Sequence, residues 1–167
     1  DEADSLTVAE VKTATYSFVV PLLIGATAAG ADPTMMSHLE RIGTSLGLSF
    51  QIVDDDLGVF GDPEVTGKSN LSDLRAGKRT ELMRLASVGA NPEQRAVLDR
   101  LVGDPQLDED GAAAIRQILE DTGARDRCLN LARRHARQAS RIASERVPAP
   151  LSGFLTDLVG DLDGRAS

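Results

Sequence analysis

A long helix with a continuous apolar stripe is the feature that most limits how this chain can fold. Asp32 followed by Pro33 is a typical helix start, because aspartate caps free backbone N–H groups and proline suits the first turn. Downstream, apolar residues recur every three or four positions and so share one face of the helix. These residues are Leu39, Ile42, Leu46, Phe50, Val53 and Leu57. The stripe predicts a face that packs against the rest of the protein.

A second stripe lies next to the first, about 100° further round the helix. Its members are small or polar, namely Gly43, Gly47, Gln51, Asp54 and Gly58. Glycines let another backbone or a ligand approach closely, and the polar side chains then point into that space. The same helix therefore has a packing face and a face suited to chemistry.

Three consecutive aspartates, Asp54, Asp55 and Asp56, lie near the end of this helix. Like charges repel, so their placement favours a nearby cation. Lys68 and Lys78 follow within a glycine-rich stretch, and carboxylates beside ammonium groups suit a metal-bound phosphate. The alternative is a solvated acidic patch at a helix end, and the aspartates alone do not distinguish the two.

The composition narrows the class of protein. The 167 residues are 41% hydrophobic but only 3% aromatic, which predicts one compact domain, or part of a larger one, with an aliphatic core. A net charge of −8 argues against a general binder of nucleic acid or of anionic membranes. A single cysteine, Cys128, excludes an internal disulfide and fits a reduced, cytoplasmic protein.

The pattern predicts helices throughout and no strand, so the expected fold class is all-α. A first helix over residues 7–30 contains a long uncharged run. Its Pro21 predicts a kink, and its proline, glycines and hydroxyl residues favour a buried core helix over a membrane span. A loop is expected over residues 61–77. Further helices are predicted over residues 78–87, 91–103, 108–122 and 124–146, with a last one of about ten residues from Leu151.

Taken in order, four segments resemble the trans-isoprenyl diphosphate synthases, the family of farnesyl and geranylgeranyl diphosphate synthases. They are Lys12-Thr13-Ala14-x-Tyr16, Phe50-Gln51-x-x-Asp54-Asp55-x-x-Gly58, Gly61-Asp62-x-x-x-Thr66-Gly67-Lys68 and Asp73-Leu74-x-x-Gly77-Lys78-x-Thr80. Each segment is weak alone, but their order and spacing are specific and the likeness runs through nearly the whole chain. The resemblance implies the isoprenoid synthase helical bundle, with residues 1–167 forming the half that carries the second aspartate-rich motif.

In that family, magnesium assists ionisation of an allylic diphosphate, and isopentenyl diphosphate then attacks the allylic cation. The resemblance implies this activity, three magnesium ions in the complete site and a homodimer. It makes Asp54 a magnesium ligand, and Asp55 either a ligand or the partner that orients Lys68. Lys12 and Lys68 would bind the allylic diphosphate.

The resemblance also implies roles for five further residues. Thr13, Gln51 and Tyr16 would place oxygens near the developing cation and help to bind substrate. Phe50 would line the isopentenyl side of the cavity. Lys78 would lie on the loop that closes over the site.

The chain departs from the family pattern in two ways. Gly58 stands where the motif usually has its third aspartate, which removes an outer carboxylate. The other departure is that no first aspartate-rich motif is found in these residues, so the chain is expected to supply half of the site and to be inactive alone. Two alternatives remain open: a non-catalytic or complementing subunit of a heteromeric synthase, and a class I terpene cyclase.

Overall fold

The structure is a computed structural model that describes residues 5–67 and 69–165. Every element within these ranges is helical and none is a strand, which confirms the all-α class. A π-helical segment, Glu10–Val19, lies between the first two helices. The α-helices are α1 Ser5–Ala9, α2 Val20–Ala28, α3 Pro33–Phe60, α4 Pro63–Thr66, α5 Ser72–Arg75, α6 Glu81–Gly89, α7 Pro92–Leu101, α8 Glu109–Asp121, α9 Ala124–Arg146 and α10 Leu151–Arg165.

The chain divides into two compact units. The first contains the described residues up to Val53 together with those from Leu131 onwards, and the second is Asp54–Asn130. Helices α3 and α9 contribute residues to both units.

The core of the first unit is aliphatic. Leu39, Ile42 and Leu46 of α3 are fully buried, which confirms the packing face predicted from the stripe. They belong to one cluster with small residues of α9 and apolar residues of α10, namely Ala136, Ala139, Ala143, Leu155 and Val159. The many alanines allow α9 to pack closely, as the low aromatic content led us to expect.

The first predicted helix is one helical stretch, but its hydrogen bonding changes along its length. Within the π segment each N–H reaches one residue further back, and the last such bond runs from the Val20 N–H to the Thr15 carbonyl. The pattern returns to an α-helix just before Pro21, which has no N–H to donate. The change of register therefore lies beside the residue at which the sequence predicted a kink.

This stretch is buried on one face only. Ala9, Ala14, Val19 and Ala26 are buried, which agrees in part with the prediction of a core helix. The stretch Ser5–Ala28 is also long and apolar enough to cross a membrane by length and composition alone, a criterion that core helices of soluble proteins also meet. Large apolar side chains on the other face are exposed, namely Val11, Tyr16, Val20 and Ile24.

Side-chain caps begin several helices of the second unit. Asn91 and Gln94 form a reciprocal capping box at α7, and Asp108 accepts a bond from the Gly111 N–H at α8. Thr80 caps α6, which therefore starts at Glu81, three residues later than predicted. A hydroxyl that bonds the N–H of the third helical residue fixes the start more strictly than apolar periodicity does.

The larger remaining differences from the prediction lie in the loop after α3 and at the end of the chain. The loop expected over residues 61–77 contains the short helices α4 and α5, and α10 continues to Arg165 instead of ending after about ten residues. Helix α9 has the predicted bounds. Apolar periodicity detects long helices well, but a one-turn helix has too few residues to show it.

Candidate active site

Three of the predicted site residues lie on the π segment. Lys12 is exposed, Thr13 is half-buried and Tyr16 is 78% exposed. π-Helical turns often occur at functional sites, since their wider turn changes the direction of side chains relative to an α-helix. The sequence gives no signal of this segment, because apolar spacing does not separate the two helix types over so short a run.

The glycine stripe on α3 admits the backbone of the π segment. A Cβ on Gly47 would overlap the Ala14 Cα, and a Cβ on Gly43 would lie 2.9 Å from the Val19 Cα. The sequence left open whether a backbone or a ligand approaches these glycines. At these two positions it is a backbone, and the close approach brings the π segment directly against α3.

Thr13 and Gln51 meet at this contact. The Thr13 hydroxyl donates a 2.6 Å hydrogen bond to the Gln51 Oε1. The neighbouring Phe50 ring is half-buried and packs against Phe18, with ring centroids 5.6 Å apart and an interplanar angle of 53°. Two residues predicted to serve the cation therefore lie in direct contact, although 38 positions separate them in the chain.

The three consecutive aspartates have different surroundings. Asp54 and Asp55 are half-buried, whereas Asp56 is buried at 4% exposure. Arg125 donates to both Asp56 carboxylate oxygens, at 3.0 Å from Nε and 3.3 Å from Nη2, and its guanidinium stacks 3.8 Å from the Phe60 ring centroid. Asp56 is therefore one partner of a two-point ion pair, a structural role that the sequence did not indicate.

Burial and the ion pair act on Asp56 in opposite directions. Burial raises the pKa of the Asp56 carboxyl above its ordinary value, while the hydrogen bond and charge of Arg125 lower it. Removal from water is the larger of the two effects. Arg125 therefore offsets part of the cost of burying the Asp56 carboxylate.

Asp54 and Asp55 are the candidate metal ligands. They lie three and four positions after Gln51 on the continuous helix α3, a spacing that directs side chains to one side of a helix. Within residues 5–67 and 69–165, no group of three or more acidic, histidine or cysteine side chains is arranged to hold a metal. Two adjacent carboxylates nevertheless fit Mg²⁺, which is commonly held by one or two carboxylates and completed by substrate phosphates.

The loop after α3 contains the other predicted lysines. Lys68 lies outside the residues that the structure describes. Gly67 and Gly77, which precede the two lysines, both have positive φ, at 67° and 60°. Lys78 is half exposed, and its Nζ lies 2.6 Å from the Asp73 Oδ1. Both glycines therefore have the left-handed backbone that glycine adopts most readily, and Lys78 has a defined carboxylate partner.

Arg116 is a further residue that the sequence gave no reason to single out. Its Nε donates a 2.7 Å hydrogen bond to the Val59 carbonyl, near the C-terminal end of α3. Its Nη1 forms an ion pair with Glu109, which lies with Arg116 on α8. Arg116 thus holds the end of the helix that carries the aspartates.

Comparison of the sequence with known proteins shows the family to which the chain belongs. The family model for polyprenyl synthetase matches residues 1–121, and the chain belongs to this family. The chain is 40% identical over 149 residues to a geranylfarnesyl diphosphate synthase of Aeropyrum pernix, covering 89% of this chain and 45% of the relative. It is 34% identical over 159 residues to a (2E,6E)-farnesyl diphosphate synthase of Mycobacterium tuberculosis, covering 93% of this chain and 44% of the relative.

A solved structure extends the match to three dimensions. The geranylgeranyl pyrophosphate synthase of Corynebacterium glutamicum, solved with isoprenyl diphosphate and magnesium, superposes with a TM-score of 0.89 at 31% identity. The superposition covers 96% of this chain and 46% of that one. The chain therefore has the fold of these synthases and spans about half the length of the curated relatives it matches.

Proposed function

We propose that this chain forms one wall of the active site of a prenyltransferase that condenses isopentenyl diphosphate with an allylic diphosphate to give a short-chain prenyl diphosphate. The observation that carries the proposal is that the three consecutive aspartates differ in burial and in their contacts. Asp56 is buried against Arg125, while Asp54 and Asp55 remain half-buried on α3 beyond Gln51. Membership of the polyprenyl synthetase family supports the same reaction.

Asp54 and Asp55 would hold magnesium. Bound Mg²⁺ supplies positive charge against the leaving diphosphate. The Corynebacterium relative was solved with magnesium and isoprenyl diphosphate, which supports this choice of metal and ligand. The complete site is expected to hold three magnesium ions, and the residues of this chain would bind only some of them.

Lysines would bind the allylic diphosphate. Lys12 at the π segment and Lys68 in the loop would act as compact positive charges, which suit phosphate oxygens whose positions change as the C–O bond breaks. Lys12 is exposed, so its ammonium is accessible to a ligand. Lys78 would add a third positive charge from the other end of the loop.

Thr13 and Gln51 would stabilise the allylic cation. A hydroxyl that donates its proton, as Thr13 does to Gln51, offers only oxygen lone pairs to its other neighbours. Lone pairs are the side of the dipole that a carbocation attracts. Tyr16 would add a further oxygen, and Phe50 would keep water away from the isopentenyl side.

The opposite wall would come from polypeptide outside these 167 residues. The chain matches about 45% of its relatives' length, and no first aspartate-rich motif occurs within it. We therefore expect the isolated chain to show negligible prenyl transfer. Robust magnesium-dependent elongation by a purified 167-residue chain would contradict this.

A second candidate is a complementing subunit that completes its site with another prenyltransferase chain. The exposed apolar residues on the first helical stretch favour this reading, because such a surface is stabilised by a partner. They are Val11, Tyr16, Val20 and Ile24. Co-purification with a larger homologue would support this second candidate. A complete polypeptide that is a homodimer by light scattering, and that is active without another chain, would support the first. In either case we expect a cytoplasmic protein.

The test of the proposed function is Asp54→Ala in the complete polypeptide that carries this chain. Incorporation of radiolabelled isopentenyl diphosphate into product, with an allylic diphosphate and Mg²⁺, should fall by ~10² or more, since one group that stabilises developing charge is removed. Asp99→Ala, at an exposed position of α7, is the matched control and should keep normal turnover. Turnover of Asp54→Ala within threefold of the parent would reject Asp54 as a metal ligand.

A further inference from the structure

The one-turn helix α5 is attached to the connector between α7 and α8, which is residues 102–108. The Arg75 guanidinium donates two hydrogen bonds to the Leu107 carbonyl, at 3.0 Å from Nε and 2.7 Å from Nη2. The Gly103 N–H donates to the Leu74 carbonyl at 2.8 Å. These bonds join the loop that follows α3 to a segment that lies as much as 32 positions further along the chain.

The backbones of the two segments approach each other closely at a pair of glycines. A Cβ built on Gly77 would lie 3.2 Å from the Gly103 Cα, and both glycines have positive φ, at 60° and 89°. Leu74 and Leu107 are each 2% exposed, so each segment also buries a leucine next to the residues that join them. The loop segment is therefore packed against the connector as well as hydrogen-bonded to it.

The connector has its own local hydrogen bonds. The Asp104 side chain accepts a 2.8 Å bond from the Gln106 N–H, and its carbonyl accepts a 3.1 Å bond from the Leu107 N–H. Asp108 then caps α8 by accepting from the Gly111 N–H at 2.9 Å. This Asx turn, followed at once by a helix cap, fixes the direction of the Leu107 carbonyl. By contrast, α5 has four residues and is too short to be stable by itself, so it depends on the connector.

Lys78 comes directly after the attached segment. The Leu74 carbonyl that accepts the Gly103 N–H also accepts the Gly77 N–H, at 3.1 Å. The Lys78 N–H then donates to the Asp73 carbonyl at 3.2 Å, and its Nζ lies 2.6 Å from the Asp73 Oδ1. The position of the Lys78 ammonium therefore depends on where residues 73–77 are held.

We propose that Arg75 is a positioning residue for Lys78, and that it acts by fixing residues 72–78 on the connector between α7 and α8. The proposal rests on the proposed function, in which Lys78 adds positive charge for the diphosphate. The Nε and Nη2 donors of Arg75 are both directed to the Leu107 carbonyl. Arg75 therefore affects the ligand through Lys78 and not by touching it.

The first experiment is a double-mutant cycle in the complete polypeptide. Arg75→Ala should raise the KM for the allylic diphosphate about fivefold or more and change kcat much less, because a binding charge is displaced. In a Lys78→Ala background the same substitution should change KM less than about twofold, since no ammonium is left to misplace. Arg95→Ala is the matched control, because Arg95 Nη2 also donates to a backbone carbonyl, that of Ser87 at 2.6 Å, outside the loop. Its KM should equal that of the parent. An Arg75→Ala effect that is as large without Lys78, or no effect in the parent, would overturn the proposal.

The second experiment does not depend on activity and so separates this proposal from the proposed function. Hydrogen exchange followed by mass spectrometry reports local opening of the peptides that cover residues 72–78 and 102–108. Arg75→Ala should speed exchange in both peptides about tenfold, Arg75→Lys should lie between Arg75→Ala and the parent because lysine can keep one bond, and Arg95→Ala should leave both unchanged. Parent-like exchange in Arg75→Ala would overturn the proposal, whatever reaction the protein catalyses. Faster exchange in a polypeptide that shows no prenyl transfer would support the attachment of the segment and reject the proposed function.

Discussion

The hydroxyl of Thr13 donates a 2.6 Å hydrogen bond to the side-chain oxygen of Gln51 and so joins the π segment to α3. Both side chains are half-buried, and the glycines of α3 bring the two backbones close enough for the bond to form. If this pair serves the allylic cation, its geometry should affect the chemical step more than substrate binding.

Thr13→Val tests this relationship. Valine keeps the shape but loses the hydroxyl, so the Gln51 oxygen loses a donor at a cost of about 1–3 kcal/mol. We expect kcat in the complete polypeptide to fall about tenfold or more, with a smaller change in KM, whereas Thr13→Ser should retain most of the parent kcat. Steady-state kinetics with both substrates varied measure the difference. A Thr13→Ser variant as impaired as Thr13→Val would show that the methyl group matters instead of the hydroxyl.

Gly47→Ala should separate the π segment from α3. The new methyl group would overlap the Ala14 backbone, which cannot move aside as a flexible side chain can. Overpacking of this kind costs about 1–3 kcal/mol and can exceed it. Gly25→Ala is the matched control, because nothing lies within 4 Å of a Cβ there and alanine should stabilise the helix by roughly 0.5–1 kcal/mol. Denaturant unfolding should therefore shift in opposite directions for the two variants.

Asp56→Ala should destabilise the second unit. Removing one partner of a buried ion pair commonly costs ~3–5 kcal/mol. The Arg125 side chain is 34% exposed, so water would compensate part of its lost partner and we expect about 2–4 kcal/mol. Arg141→Ala is the control, since its pair with Glu145 is exposed and spans 4.0 Å, and should cost less than about 1 kcal/mol. Equal unfolding free energies for the two variants would contradict the structural role of Asp56.

Cys128 should make stability fall at alkaline pH. Burial, followed by the nearby carboxylates of Glu81, Asp56 and Asp55, raises the pKa of this thiol from 9.0 to about 12. The unfolded thiol releases its proton near pH 9 while the folded one keeps it, so the contribution is complete below pH 9 and is lost as the pH rises towards 12. The loss is about 1.4 kcal/mol per pH unit.

Cys128→Ala should therefore flatten the decline of unfolding free energy over that window. The difference between parent and variant isolates the thiol from the titration of lysines and tyrosine. At pH 8 the native thiol should also resist a thiol-specific reagent until denaturant is added, because the side chain is 1% exposed. Parallel stability curves above pH 9 would show that the thiol titrates alike in both states.

Much of the fold followed from local patterns. The apolar spacing on α3 predicted the buried face that includes Leu39 and Leu46, and short-range capping chemistry predicted the helix starts at Asp32 and Asn91. Such features depend on neighbours within one or two turns, which a sequence displays directly. The one-turn helices α4 and α5 and the extension of α10 were missed, since they carry too little periodicity to detect.

The candidate site was less predictable because its contacts join distant parts of the chain. The sequence by itself determined which residue types are present: a triplet of aspartates, a glutamine one turn earlier, and glycines where a close approach or a sharp turn is possible. It could not decide what fills the space at each glycine. Only the tertiary structure showed that Gly47 admits the Ala14 backbone and that Gly58 admits the Asp73 carboxylate. It likewise decided that Asp56 pairs with Arg125, 69 positions away, because burial and long-range pairing arise only when separate helices pack together.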